Sequence, residues 1–213
     1  MSNSIDALRN DHSDFRKNTG NITFTDPWTG FRTWFDEAVA LGVPEANAVV
    51  LSTVSASGAP SSRVVYLKEM HEEGFVFYTN FLSQKGRELR ENPNASFLFF
   101  WPSLERQVRM EGRVKPVTEE ISDRYFASRP RESQLGAWAS HQSEPLDTMD
   151  EIHQRFQELE AKFPREVPRP PHWGGMALHP NRFEFWQGKP SRLHERLIFE
   201  QHQENWISIR LNP

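Results

Sequence analysis

The apolar positions of the chain follow a helical period first and an alternating period afterwards. Residues 28–39 carry aromatic and aliphatic side chains three or four positions apart, directly after Asp26-Pro27 and ahead of Gly42. An Asp N-cap, a Pro at the first helical position and a closing Gly are typical of a helix. From Ala48, the segments AVVLSTV and SSRVVYLK flank a turn at Gly58 and predict two paired strands.

The rest of the chain mixes both periods. Strands are expected at 75–79, 95–101, 105–114, 175–178, 182–186, 193–200 and 206–211, and helices at 83–92, 119–128, 132–140 and 147–163. This order favours an α+β domain built on a barrel-like antiparallel sheet. Residues 1–25 are polar and weakly periodic, which predicts a flexible N-terminal arm ahead of one domain over 26–213.

Composition and charge exclude several classes of protein. The 213 residues include no Cys, which rules out disulfides, thiolate metal sites and a cysteine nucleophile. A net charge of -4 argues against nucleic acid as a partner. No apolar run is long enough for a membrane span and the first residues lack the pattern of a secretory signal, so a cytoplasmic protein is expected. Hydrophobic residues make up only 37%, but 16 Phe and 7 Trp can fill a core with few side chains.

Familiar catalytic and cofactor motifs are missing from the sequence. The eight His show no metal-ligand spacing, so no metal site is expected. There is no glycine-rich dinucleotide fingerprint after a strand, no nucleophile elbow and no Walker A loop.

Cationic side chains instead stand inside or beside apolar strands. Arg63 and Lys68 bracket VVYL, and Lys85 opens a short helix. Arg129 lies at a helix junction near Ser133, and Arg192, His194 and Arg196 alternate, which predicts one shared strand face. Each one alone is most simply a surface residue. Together they form two groups of the kind that hold phosphate dianions, which indicates two phosphorylated ligands.

Seven blocks occur in an order that resembles one known family. They are RVVYLK (63–68), FYTN (77–80), LERQV (104–108), RPRESQLGAWAS (129–140), QS (142–143), EFWQG (184–188) and RLHER (192–196). Over roughly residues 26–213 the chain closely resembles the pyridoxine (pyridoxamine) 5′-phosphate oxidases. The resemblance implies a split antiparallel β-barrel that binds FMN, with peripheral helices and a homodimer whose FMN sites lie at the subunit interface.

The resemblance also implies roles for individual residues. The FMN phosphate would be held by Arg63 and Lys85, and the wider cofactor shell would be Val64, Val65, Tyr66, Leu67, Lys68, Tyr78, Thr79, Gln84, Gln107, Gln142, Ser143, Trp186 and Arg196. The substrate phosphate would contact Lys68, Tyr125, Arg129 and Ser133. Arg192, Leu193 and His194 would lie over the pyridine ring, and Arg192 and His194 would be the catalytic pair.

The implied reaction oxidises pyridoxine 5′-phosphate or pyridoxamine 5′-phosphate to pyridoxal 5′-phosphate. Hydride passes to FMN, and O₂ reoxidises the flavin and yields H₂O₂. Two departures from the family stand out: Gln84 occupies a position where Arg is usual, and the arm retains Arg9 but has His12 in place of Tyr. Two alternatives stay open, namely a related flavin oxidase of a phenazine-type ring substrate and a non-catalytic carrier of flavin or pyridoxal phosphate.

Overall fold

The computed structural model describes residues 15–71 and 74–213. In these residues the chain forms five α-helices: α1 (Pro27–Ala40), α2 (Gln84–Glu91), α3 (Glu119–Ser128), α4 (Arg131–Ala139) and α5 (Met149–Lys162). The strands are β1 (Ala48–Val54), β2 (Pro60–Tyr66), β3 (Glu69–His71), β4 (Gly74–Asn80), β5 (Asn94–Trp101), β6 (Arg106–Pro116), β7 (Trp173–Gln187), β8 (Glu195–His202) and β9 (Asn205–Leu211). None of the helices in this described part is long and apolar enough to cross a lipid bilayer.

The nine strands pair in the order β2-β1-β5-β6-β7-β4-β3, with β8 between β7 and β9. The β1–β2 hairpin is antiparallel and runs from Ala48 opposite Tyr66 to Val54 opposite Pro60. Strand β7 is antiparallel to β4 in its first part and to β8 in its second part.

Three strand predictions need correction. The expected strands 175–178 and 182–186 are one 15-residue strand, β7. Pro180, inside β7, lies between the registers with β4 and β8, so neither of these ladders uses its missing N–H. The short strand β3 was not predicted. Strand β8 starts at Glu195, two residues later than predicted, and the short 3₁₀ turn Pro190–Arg192, with positive φ at Ser191 and Arg192, precedes it. Arg192, His194 and Arg196 therefore do not share a strand face.

The chain divides into two compact units, which we call the first unit and the second unit. The first unit comprises Met1–Ala46, Leu98–Met110 and Arg182–Pro213, and the second comprises Asn47–Phe97 and Glu111–Asn181.

Aromatic side chains form most of the core of the first unit. Helix α1 begins at Pro27 after Asp26, whose carboxylate accepts a hydrogen bond from the Thr29 amide at 2.7 Å. Its apolar face packs Phe31 against Phe99 and Trp34 against Phe185, with ring centroids 5.0 and 5.4 Å apart. Trp34 is a core residue, as the helical spacing predicts. The core is filled by a few large rings, which explains how a chain with few hydrophobic residues folds.

Residues 15–25, the described part of the expected arm, make hydrogen bonds within the first unit. The Asn18 amide donates to the Leu104 carbonyl at 3.0 Å, and the Gly20 carbonyl accepts from Gln187 Nε2 at 3.0 Å. Arg9 and His12 lie outside the described residues. A flexible arm over 1–25 and a domain boundary at 26 stay predictions.

Candidate functional site

The second unit contains a cavity of about 900 Å³. Strands β2 and β4 supply part of its wall, and the ends of α3 and α4 supply another part. The cavity brings together many residues that the sequence assigns to one site: Arg63, Val64, Val65, Tyr66, Lys68, Tyr78, Thr79, Lys85, Tyr125, Arg129, Ser133 and Gln142. Segments far apart in sequence therefore line one cavity, and their division into two phosphate-binding groups stays a prediction.

Arg63 is anchored at both terminal nitrogens of its guanidinium. It lies on β2, and Nη1 donates to Thr53 Oγ1 at 2.5 Å while Nη2 donates to Ser61 Oγ at 2.6 Å. Nη2 also lies 3.3 Å from Glu88 Oε2 on α2. The side chain still borders the cavity. A guanidinium fixed in this way is ready to meet an anion without losing further side-chain freedom.

Lys85 supplies a second cation to the same wall. Ser83 caps α2 by accepting from the Gly86 amide, so Lys85 stands in the first turn of that helix. The ammonium group donates to Gln142 Oε1 at 3.0 Å. Burial, and then the positive charge of Arg63, lower the pKa of Lys85 to about 8, while Glu88 opposes this shift. The Lys85 charge is therefore adjustable near neutral pH.

Three parallel aromatic rings border another part of the cavity. Tyr78 on β4 stacks on Tyr125 of α3 with centroids 3.7 Å apart, and Trp173 lies 5.4 Å from Tyr78 on the same stack. The close approach of Tyr78 to β7 requires Gly175, since a Cβ there would lie 2.9 Å from the Tyr78 ring. The Tyr78 hydroxyl donates to Glu69 Oε1 at 2.5 Å, and burial together with this carboxylate raises the Tyr78 pKa, so the phenol stays neutral.

Arg129 combines burial with an unused hydrogen-bond donor. Its guanidinium lies over the Trp173 ring at 4.6 Å from the centroid. Burial lowers the Arg129 pKa, which still leaves the group charged at neutral pH. Its buried Nη1 has no hydrogen-bond partner in the described residues. Because unsatisfied buried donors are costly, this nitrogen indicates a place prepared for an acceptor. Ser133, in the first turn of α4, lines the same cavity.

Three predicted cofactor residues of the second unit do not line this cavity. Leu67 is buried in the core, and Ser143 has a left-handed backbone with φ of 72°. The Gln84 amide donates to Glu88 Oε1 at 2.8 Å. The sequence-based prediction in turn missed lining residues, namely Asn80, Pro130, Gly136, Ala137, Ser140 and Trp173. All of these except Trp173 lie inside blocks that carry the resemblance, so only their individual contacts were unpredictable.

The remaining predicted residues lie in the first unit. Trp186 on β7 stands opposite Arg196 on β8. The Trp186 ring lies 4.7 Å from the His194 ring, and Phe15 packs edge-on against both. Leu193 is 69% exposed, and Gln107 lies part-buried on β6. The structure thus groups Trp186, His194 and Arg196 without the shared strand face that the alternation predicted.

His194 is held in one neutral form. The backbone N–H of Lys189 donates to His194 Nδ1 at 3.2 Å, which makes Nδ1 an acceptor. Burial, and then the charge of Arg192, lower the His194 pKa. The imidazole is therefore neutral at pH 7 with its proton on Nε2, a form that can donate to a ligand.

Arg196 is held by a buried carboxylate of the neighbouring strand β7, Glu184. Its Nε donates to Glu184 Oε1 at 2.8 Å, and this hydrogen bond raises the Arg196 pKa. Glu184 is 2% exposed and also lies 3.4 Å from Arg109 Nη2. The carboxylate balances two guanidinium groups, which explains how it is buried within a strand.

Comparison with known proteins identifies one family for most of the chain. A family profile described as pyridoxamine 5′-phosphate oxidase matches residues 35–163. A second, described as the pyridoxine 5′-phosphate oxidase C-terminal dimerisation region, matches residues 173–213. The pyridoxine/pyridoxamine 5′-phosphate oxidase of Bordetella pertussis is 55% identical over 188 residues, covering 88% of this chain and 89% of that protein. The enzyme of the same name from Rubrobacter xylanophilus is 52% identical, covering 88% and 87%.

Two solved structures share the fold. PhzG from Burkholderia lata, in complex with tetrahydrophenazine-1-carboxylic acid, superposes with a TM-score of 0.85 at 31% identity, covering 92% of this chain and all of that one. A pyridoxamine 5′-phosphate oxidase-related, FMN-binding protein from Nostoc punctiforme has a TM-score of 0.70 at 16% identity, covering 90% of this chain and all of that one, which supports the fold alone. The predicted α+β split antiparallel barrel with peripheral helices is confirmed. This chain belongs to the pyridoxamine 5′-phosphate oxidase family.

Proposed function

We propose that this protein is an FMN-dependent oxidase that converts pyridoxine 5′-phosphate or pyridoxamine 5′-phosphate to pyridoxal 5′-phosphate. The observation that carries the proposal is the presence of two anion-binding groups in one cavity of the second unit. Arg63, Lys85 and Gln142 form the first group, and Lys68, Tyr125, Arg129 and Ser133 form the second. A phosphorylated cofactor and a phosphorylated substrate need two such groups.

The residues present fit an FMN phosphate at the first group. Arg63 offers an anchored guanidinium, and Lys85 offers an ammonium group. The Gln142 side chain accepts from Lys85 through its amide oxygen, so its amide nitrogen is available to donate to a phosphate oxygen. Val64 and Val65 on β2 supply apolar wall that suits a flavin ring. The resemblance also assigns Trp186, Gln107 and Arg196 to the cofactor, and that assignment stays a prediction.

The second group fits the phosphate of the substrate. The unpartnered Arg129 Nη1 supplies a buried charged donor, and the Ser133 hydroxyl and the Tyr125 phenol can each donate as well. When bound, FMN supplies the hydride acceptor that O₂ reoxidises with release of H₂O₂. The resemblance assigns the orientation of the pyridine ring to Arg192 and His194, and a neutral His194 that accepts at Nδ1 keeps an Nε2–H that can donate to a ligand. The protein's main contribution is alignment.

The proposed assembly is a homodimer. Residues 173–213 match the family's dimerisation region, and β9 within it pairs with β8. Ile207, Ile209 and Leu211 on β9 are 48%, 44% and 39% exposed. Apolar residues at alternate positions of a strand form a stripe that a second copy of the chain would cover.

An absorbance spectrum of the purified full chain tests the reaction. We expect flavin bands that bleach on anaerobic addition of pyridoxamine 5′-phosphate, followed by H₂O₂ when air is admitted. Unphosphorylated pyridoxamine is the control, and we expect it to bleach the flavin far more slowly at equal concentration. A protein that binds no flavin, or whose flavin keeps its colour with both phosphorylated substrates, contradicts the proposal.

A phenazine-type substrate is the second candidate, because the PhzG complex with a tricyclic carboxylic acid superposes well on this chain. Arg129 would suit a carboxylate as well as a phosphate. Competition between tetrahydrophenazine-1-carboxylic acid and pyridoxamine 5′-phosphate distinguishes the two functions. Bleaching by the tricyclic acid, without any by the phosphate ester, would favour the second candidate.

A further inference from the structure

Glu88 on α2 is a buried carboxylate behind the proposed cofactor phosphate group. It is 6% exposed and does not line the cavity. Its Oε2 accepts from Thr53 Oγ1 at 2.5 Å and from Ser61 Oγ at 2.7 Å, and its Oε1 accepts from Gln84 Nε2 at 2.8 Å. Burial raises the Glu88 pKa, but these bonds and the charge of Arg63 outweigh it and hold the pKa at about 2. Glu88 is therefore ionised at physiological pH.

The donor and the acceptor of each hydrogen bond between Arg63, the two hydroxyls and Glu88 follow from the chemistry of these groups. A guanidinium has no acceptor and a carboxylate has no donor. Thr53 and Ser61 both accept a hydrogen bond from Arg63, so the hydroxyl group of each donates its hydrogen bond to Glu88. Two parallel chains of hydrogen bonds thus connect the guanidinium to the carboxylate. They hold Arg63 in the plane in which it borders the cavity.

Glu88 also acts on the charge of Lys85. Arg63 on β2 and Glu88 on α2 are the charged groups that shift the Lys85 pKa, the first lowering it and the second raising it. Loss of the Glu88 charge would therefore leave Lys85 with a smaller protonated fraction at neutral pH. The same carboxylate fixes the geometry of one cation and preserves the charge of the other.

Gln84 gains a role from this arrangement. Its side-chain amide donates to Glu88 Oε1 at 2.8 Å, so a neutral donor occupies the second oxygen of the carboxylate. Two cations, Arg63 and Lys85, therefore share the single negative charge of Glu88.

We propose that Glu88 is a positioning residue for the binding of the FMN phosphate and orients Arg63 through Thr53 and Ser61. This inference rests on the proposed function, because the anion concerned is the FMN phosphate. Direct repulsion between Glu88 and that phosphate is the weaker effect, since the carboxylate is set back from the cavity behind Arg63. Loss of Glu88 therefore weakens FMN binding and spares riboflavin, which has the same ring without a phosphate.

The test titrates FMN and riboflavin into the full chain freed of flavin, from pH 6.5 to pH 9.5. For Glu88→Gln we expect FMN affinity to fall about tenfold relative to riboflavin at pH 7.5. FMN affinity should fall at alkaline pH as Lys85 loses its proton, and in Glu88→Gln this fall should begin at a lower pH. A purely structural role of Glu88 would not shift the pH at which it begins. Glu91→Gln, on the exposed end of the same helix, is the matched control and should behave as the wild type.

Thr53→Val separates orientation from charge and serves as well if Glu88→Gln fails to fold. It removes one hydrogen-bond chain but keeps the carboxylate, so FMN affinity should fall about threefold with an unmoved alkaline decline. The inference is overturned if the ratio of FMN to riboflavin affinity stays within about twofold of the wild type in the folded variants. A wild-type chain that does not distinguish FMN from riboflavin overturns the proposed function itself.

Discussion

Each unit of this protein holds an arginine with a buried carboxylate, but the two carboxylates have different surroundings. In the second unit, Glu88 accepts from two hydroxyls and an amide besides its contact with Arg63. In the first unit, Glu184 lies between Arg196 and Arg109. Hydroxyls and amides can exchange donor and acceptor roles, whereas guanidinium groups only donate.

The difference shows which carboxylate the fold depends on more strongly. Around Glu88, a neutral amide can be accommodated, because its oxygen can still accept from the hydroxyls and its nitrogen can donate to a flipped Gln84 side chain. At Glu184, an amide nitrogen would face a guanidinium donor with no acceptor between them. We infer that the charge of Glu184 serves stability alone, while the charge of Glu88 serves both stability and the cavity.

The largest expected effect is on the free energy of unfolding. Glu184→Gln should lower it by about 2 kcal/mol, less than for a fully buried pair because Arg109 and Arg196 are 39% and 28% exposed. Glu88→Gln should lower it by about 1 kcal/mol, because the depressed Glu88 pKa means that the fold favours the charged form, while the amide oxygen still accepts from the two hydroxyls. Urea unfolding of the full chain measures both.

Glu200→Gln is the control for this comparison. Glu200 pairs with Arg182 at 3.2 Å but is 40% exposed, so its loss should cost no more than about 0.5 kcal/mol. Equal losses of stability in Glu184→Gln and Glu88→Gln would refute the distinction between the two carboxylates.

A substitution in the second unit should mainly change substrate binding, whereas one in the first unit should mainly change turnover. Arg129→Met in the second unit should raise the KM for pyridoxamine 5′-phosphate about thirtyfold and leave kcat within about threefold, since it removes a donor to the substrate phosphate. Arg192→Met in the first unit should leave FMN bound and lower kcat at least about tenfold, because it removes a group that orients the reacting ring. Steady-state kinetics with flavin quantitation measures both.

The kinetics of Arg129→Met and Arg192→Met can also contradict this assignment of roles. Unchanged turnover in Arg192→Met would remove that residue from the catalytic pair. A KM for Arg129→Met that rises equally with phosphorylated and unphosphorylated substrate would show that Arg129 does not read the phosphate. Arg124→Met, on the exposed face of α3, is a suitable control for loss of a cation.

The smallest expected effect is a pH dependence confined to the second unit. The Lys85 pKa of about 8 means that the ammonium group is protonated below pH 8 and loses its charge above it. FMN affinity should therefore fall about fivefold between pH 7 and pH 9, and riboflavin affinity should not. Lys85→Met should abolish this decline while binding FMN more weakly throughout. A persistent decline in that variant would assign the titration to another group.

Much of the fold was predictable because local signals agree with the tertiary structure. Asp26-Pro27 and the spacing of Phe31 and Trp34 predict α1 and its buried face, and both are confirmed. The prediction failed where context overrides pattern. Ser191 and Arg192 adopt positive φ, which the alternation of polar and apolar residues does not reveal. Glu184 is buried, although a charged side chain is normally exposed.

The site was predictable as a set of residue types. Blocks of sequence pointed to Arg63, Lys85 and Arg129, and the cavity contains all three. Glu88 was missed because a single acidic residue in a short polar helix carries no signal. Its importance comes from Thr53 and Ser61, which approach it from β1 and β2.

Residue identity and near-neighbour spacing were enough to predict the family, the helical and strand periods, and the presence of many cations and aromatic rings. Which of these groups are anchored, desolvated or left unpartnered depends on the folded chain. The Arg129 nitrogen without an acceptor, the Lys85 pKa of about 8 and the hydrogen-bond chains to Glu88 all depend on distances between distant segments. Desolvation and hydrogen bonding act over a few ångströms in space, and sequence spacing does not encode those distances.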